Sequence, residues 1–166
     1  TPIALTNTLN VGLVHDALVE YMIGRCELEG VELRSVNPLV LECNDGGINQ
    51  IQKRAIGREE VLAAFAAASP DFDEGDVGAG KGMVCHGLKG GIGSASRRLE
   101  VDGVSYTLGA LVLANHGSMT DLTICGEPIG LQLEAAKAAK ESDVGSCIVI
   151  LATDLPLDSR QLSRVA

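Results

Sequence analysis

The amino-acid sequence predicts one layered α/β domain over residues 1–166, and three observations carry that reading. Residues 147–152, Cys-Ile-Val-Ile-Leu-Ala, are apolar at successive positions, the pattern of a strand buried on both faces in the middle of a sheet. Two segments repeat apolar residues at helical spacing. Residues 98–101 and 104–114 read as strands joined by Asp102-Gly103, a dipeptide suited to a tight hairpin turn.

The first helix is predicted over residues 14–23, where Val14, Leu18 and Met22 fall on one face beside Ala17 and Tyr21, and Gly24 is expected to stop it. The second runs from 58 to 68. Glu59 and Glu60 sit in its first turn, where the helix dipole favours acids. Ala63, Ala64, Ala66, Ala67 and Ala68 supply helix propensity and Ser69-Pro70 ends it. Side chains this small let the helix lie close on a sheet. A further strand is expected at 122–124. Residues 131–140 fit either a helix or an exposed loop, because Gly130 precedes them and Glu141-Ser142-Asp143 follows. No internal repeat or long linker divides the chain.

With 46% hydrophobic and 21% charged residues, the sequence has enough apolar surface for a core. A net charge of -9, from 13 Lys and Arg against 22 Asp and Glu, leaves no basic stripe for a phosphate backbone, so no nucleic-acid partner is expected. No apolar run approaches the ~20 residues that span a bilayer, and no charged segment precedes a short apolar one, so neither membrane anchor nor signal peptide is expected. The sequence opens at Thr1 without a Met and stops in mid-pattern at Arg164-Val165-Ala166, which reads as a piece of a longer protein. Cys26, Cys43, Cys85, Cys125 and Cys147 are odd in number and form no CxxC, as reduced thiols of a cytoplasmic protein would be.

Residues 75–82, Gly-Asp-Val-Gly-Ala-Gly-Lys-Gly, nearly spell a phosphate-binding loop. Gly82 stands where that loop needs a hydroxyl, and an acidic loop precedes it instead of a buried strand, so nucleotide binding is not expected. His15, His86 and His116 have no metal-ligand spacing, even with Cys85 beside His86, and no metal is expected. His86 is read as a structural hydrogen-bond donor or a site-lining residue.

The informative blocks are Leu5-Thr6-Asn7-Thr8-Leu9-Asn10-Val11-Gly12, Glu42-Cys43-Asn44-Asp45-Gly46, residues 82–97 with Cys85-His86-Gly87-Leu88-Lys89-Gly90-Gly91-Ile92-Gly93, Ala114-Asn115-His116-Gly117, and Gly145-Ser146 followed by residues 147–154. In this order they resemble the L-aminopeptidase/D-esterase family, which includes the β-aminopeptidases. The resemblance covers essentially the whole chain and implies an αββα sandwich. It also implies a precursor that cuts itself before a serine and so frees that serine as an N-terminal nucleophile. Carried onto this sequence, the cut falls between Gly145 and Ser146, Ser146 is the nucleophile, and Asn115 donates its amide to the oxyanion.

The chemistry of Gly145-Ser146 agrees with that assignment. A glycine carbonyl can be presented in a strained backbone conformation, open to attack by the next hydroxyl. Hydrolysis of the resulting ester frees an α-amine of pKa ~8, which can serve as the base for its own Oγ, so no histidine and no cofactor are required. Taken alone, Gly-Ser before an apolar strand is an ordinary loop-to-strand junction, and Asn115 before Gly117 is an ordinary turn. The best-known relatives carry Tyr where this chain has Asn44. The Asn44 amide can donate a hydrogen bond and Glu42 can pair with a substrate ammonium, while a turn at Asn44-Asp45-Gly46 explains the same letters. Gly90, Gly91 and Gly93 are expected to let the backbone pass close to the site, though tight packing alone would also demand them.

The expected activity is release of the N-terminal residue from small peptides, amides or esters by a homo-oligomer, with the L, D or β preference not legible. The family's N-terminal portion and its downstream segment, which adds a Ser and an acidic residue to the site, are absent. A molecule truly ending at Ala166 is therefore expected to be inactive. Two alternatives stand beside this reading. One is an acyl transferase like ornithine acetyltransferase, whose nucleophile is typically Thr; the other is a non-catalytic ligand-binding or assembly subunit of the same fold.

Overall fold

A computed structural model describes residues 1–134 and 145–166. The elements run β1 (Ile3–Asn7), α1 (Val11–Glu29), β2 (Leu39–Cys43), α2 (Arg58–Ala66), β3 (Val84–Cys85), β4 (Leu88–Lys89), β5 (Gly91–Val101), β6 (Val104–Asn115), α3 (Ile129–Glu134), β7 (Ser146–Thr153) and α4 (Ser159–Val165). No helix among the described residues is long and apolar enough to cross a membrane.

α1 continues through Gly24 and is longer than predicted. The residue that ends it is Gly30, left-handed at φ 66°, whose N–H reaches back to the Cys26 and Glu27 carbonyls. α2 begins at a capping arrangement in which Glu60 accepts from the Gly57 N–H at 2.8 Å, and it ends two residues earlier than its alanine run suggests. Arg58, at the start of α2, ion-pairs with Asp16 and Glu20 of α1, and Tyr21 stacks on Phe65 with ring centroids 4.6 Å apart.

β1 and β2 pair in parallel, with α1 as the crossover between them. Alternation along these strands sends Ala4 and Val40 to one face, against Val14, Ala17 and Leu18 of α1 and Val61 of α2. Leu5 and Leu41 turn to the opposite face. There they meet a second core of Cys43, Met83, Leu113 and Ile148, which joins the β1–β2 sheet to a second sheet of order β5-β6-β7. A helix layer on a two-stranded sheet on a three-stranded sheet makes three layers of the αββα sandwich.

Asp102-Gly103 joins β5 to β6 with both residues at positive φ (51° and 76°), as a two-residue hairpin turn requires. His86-Gly87 does the same between β3 and β4 (51° and 69°). β5 is longer than predicted, starting at Gly91 where residue 98 was expected.

Two expectations need correction. The doubly apolar run is a strand, but among the described residues β7 lies at the edge of its sheet and β6 takes the centre. Ile148 faces the core, whereas Cys147 is exposed and Val149 is 55% exposed, because α1 and α2 cover the other sheet. Residues 122–124 are not a strand. A 3-10 turn at Met119–Asp121 precedes them, and the tight Cys125-Gly126 turn permits only the single bridge Ile124 to Glu127. α3 makes the start of 131–140 helical, while residues 135–140 lie outside the described residues.

The two-core arrangement predicts a contrast along α1. Leu18, fully buried, should cost about 3 kcal/mol on substitution by Ala, and Leu28, 88% exposed, less than about 0.5 kcal/mol, in urea denaturation. Equal losses would mean that α1 packs on a different face.

Candidate active site

The antiparallel register of β6 on β7 ends in the pair Asn115 and Ser146. One step inward, Leu113 opposes Ile148, and both belong to the second core. Side chains alternate in strands, and directly opposed residues share a face, so Asn115 and Ser146 lie on the inner face just beyond that apolar layer. The Asn115 amide nitrogen donates to Ser146 Oγ at 3.3 Å and to the Asn44 carbonyl at 2.9 Å, while its oxygen accepts the Val84 N–H at 2.9 Å. A carbonyl can only accept and an N–H can only donate, so these two backbone partners fix which way the amide points.

Gly145 has no room for a side chain. What excludes a side chain is proximity, since a Cβ there would run into the Asn115 carbonyl and the His116 Cα. Gly90 likewise packs on the Ala114 carbonyl, and Gly91 on the Gly75 carbonyl, while Gly93 faces open space. The near-phosphate loop is part of this knot. Gly78–Gly82 form a 3-10 turn, and Lys89 Nζ donates to the Gly80 and Gly90 carbonyls at 2.7 Å each.

β2 supplies the opposite wall. The Glu42 carboxylate accepts a hydrogen bond from the Thr8 hydroxyl. Asn44 uses its side-chain oxygen to accept the Gly46 N–H at 2.8 Å, so the turn-forming role occupies that atom, while its backbone carbonyl holds Asn115. Cys43, between them, is fully buried and touches Ser146. Burial pushes the Cys43 thiol pKa up, and the neighbouring Ser146 hydroxyl works in the other direction. It stands there as a neutral thiol.

Ser146, Asn115, Glu42, Asn44 and Gly145 all line one cavity of about 520 Å³, together with Thr8 and His116. A larger cavity, about 790 Å³, lies between α2 and the β1–β2 sheet and contains none of these five. His15 is exposed on α1. Among the described residues Ser146 Oγ bonds to Asn115 and to no imidazole. The sequence reading missed Thr8 and the contact of Cys43 with Ser146, although both residues sit inside the blocks Leu5–Gly12 and Glu42–Gly46 that carried the resemblance.

The profile of Peptidase family S58 matches residues 1–166, the whole chain. The chain belongs to Peptidase family S58. Within this family it is similar to the beta-peptidyl aminopeptidase BapA of Sphingosinicella xenopeptidilytica, 38% identical over 178 residues, covering 99% of this chain and 44% of the relative. The chain thus spans less than half the length of that relative. The PH0078 protein of Pyrococcus horikoshii OT3 is 52% identical with a TM-score of 0.90, covering all of this chain and 45% of that one. The L-aminopeptidase D-Ala-esterase/amidase of Ochrobactrum anthropi is 39% identical with a TM-score of 0.86, covering 98% of this chain and 45% of that one. Its structure is described as a prototype for the serine aminopeptidases and a new variant of the Ntn hydrolase fold. This S58 chain shares that fold.

The packing of Gly145 makes a prediction for the uncut chain. Gly145→Ala should destabilise the fold by about 1–3 kcal/mol, since the new methyl can be placed only by parting the ends of β6 and β7. Thermal unfolding checks it, and an unchanged midpoint would contradict the close approach.

Proposed function

We propose that this S58 chain is the central part of an aminopeptidase that releases the N-terminal residue from small peptides, amides or esters. Its nucleophile is Ser146, exposed by self-cleavage after Gly145. The observation that carries the reading is the cross-strand pair, in which an amide N–H of Asn115 rests on the Ser146 hydroxyl inside a cavity walled by Glu42. The names of the relatives, a beta-peptidyl aminopeptidase and an L-aminopeptidase D-Ala-esterase/amidase, supply the substrate class.

In the precursor, Ser146 Oγ attacks the Gly145 carbonyl carbon. The C–N bond breaks as the C–O ester forms, and the nitrogen leaves as the amine of Ser146. Water then cleaves the ester and frees the hydroxyl. The new α-amine, of pKa ~8, takes the Oγ proton when the mature serine attacks a substrate carbonyl, and the oxyanion so formed needs a donor. Asn115 suits that need. One of its N–H groups is held by the Asn44 carbonyl, which leaves the other, now on Ser146 Oγ, to turn to the oxyanion without moving the side chain. Glu42, which accepts from Thr8 and lines the same cavity, is the residue we assign to pair with a substrate ammonium. A serine nucleophile also disfavours the acyl-transferase alternative.

In the complete protein, Asn115→Ala should lower kcat on an amino-acid amide about a hundredfold, equivalent to about 3 kcal/mol, with KM changed much less. Ser146→Ala should leave a folded, uncut and inactive chain. Hydrolysis by the Ser146→Ala variant at the wild-type rate would overturn the reading.

A further inference from the structure

The turn His86-Gly87 at the tip of the β3–β4 hairpin has no part in the chemistry above, yet it is built with care for one neighbour. His86 holds φ 51°, a left-handed conformation that costs a residue with a Cβ about 1–2 kcal/mol. Its contacts all fall on the three residues after Asn115. The His86 N–H donates to the His116 carbonyl at 2.9 Å, its Nδ1 lies 2.8 Å from the Ser118 carbonyl, and its ring lies on Gly117. A Cβ at Gly117 would come within 2.5 Å of that ring, and Gly117 is itself left-handed at φ 87°.

We propose that His86 is a positioning residue for Asn115, acting through the His116–Ser118 loop. The same hairpin grips Asn115 twice: the Val84 N–H holds the amide oxygen, and His86 holds the backbone that leaves β6 immediately after it. A shift of that backbone would swing the amide off Ser146 Oγ, where the hydrogen bond is already long at 3.3 Å. Because the Ser118 carbonyl can only accept, Nδ1 carries a hydrogen. That hydrogen is present in one neutral tautomer and in the imidazolium alike, so the device does not depend on the ring's charge. Among the described residues no hydrogen bond joins the His86 ring to Ser146 Oγ, and His86 is not among the residues that line the cavity, so it is given no role as a base for Ser146. The inference rests on the aminopeptidase reading, in which the aim of the Asn115 amide sets the rate.

The test uses the complete protein and hydrolysis of an amino-acid amide. His86→Ala should lower kcat about tenfold with KM within about twofold, the scale expected when a catalytic group is displaced by a fraction of an ångström. His86→Asn should restore most of the rate, because the Asn amide nitrogen overlays Nδ1 and Asn tolerates the left-handed conformation. His86→Gln, of similar bulk but without a donor at that place, should not. In an Asn115→Ala background, His86→Ala should have less than a twofold effect, because the group it positions is gone. Should the alanine variant fail to fold, the Asn and Gln variants decide. Equal rates for those two, or losses that multiply in the double variant, would overturn the proposal while leaving Ser146-dependent hydrolysis intact. Hydrolysis that persists in Ser146→Ala would overturn the underlying reading as well.

Discussion

The amide of Asn115 and its register opposite Ser146 are the constraint on which the rest of the site depends. A strand has a two-residue period, so a slip of one residue between β6 and β7 would turn Ser146 to the outer face and leave Asn115 without its partner. Leu113 and Ile148 prevent that slip. They are buried one step below the polar pair, and exchanging them for the outward-facing Val112 and Val149 would expose the second core. Gly145 then lets β7 begin flush against the end of β6.

The wall facing this pair is held by polar groups that reach across the sheet. Asp45, buried at the end of β2, accepts from Asn7 at 3.0 Å and Asn49 at 2.9 Å, and Asn10 donates to Asn7 at 2.7 Å. This network fixes the turn after Asn44 relative to β1, and with it the carbonyl that orients Asn115. Gly82 packs directly on the Asp45 side chain, so the β3–β4 hairpin approaches from the other side at a set distance. Helix packing in the first core and amide orientation in the cavity are thus linked through β1 and β2.

Local features of the fold were legible in the sequence because their causes are local. The 3.6-residue pattern marked α1, the alanine run and leading acids marked α2, and Asp102-Gly103 marked the longest hairpin. The position of β7 was not legible, since successive apolar residues report affinity for a core and not which strand will be central. The close packing of Gly145 on the Asn115 carbonyl, 30 residues away in sequence, was not legible either, because a contact that distant leaves no local trace. The resemblance brought Ser146, Asn115, Glu42 and Asn44 together as a set. Their partner Thr8 and the contact of Cys43 with Ser146 follow only from the pairing of β1 with β2 and of β6 with β7, and their partner Val84 from the packing of β3 against β6. His86 is a middle case. The sequence left it as a structural donor or a site-lining residue, and only the structure shows which carbonyls it serves.

Self-cleavage at one bond is the claim from which nucleophile, base and oxyanion donor all follow. Intact mass spectrometry of the complete protein after expression, with amino-terminal sequencing of each product, tests it directly. The account predicts two chains, the second beginning at Ser146. A single uncut chain that hydrolyses amino-acid amides, or a cut at any other bond, would contradict it.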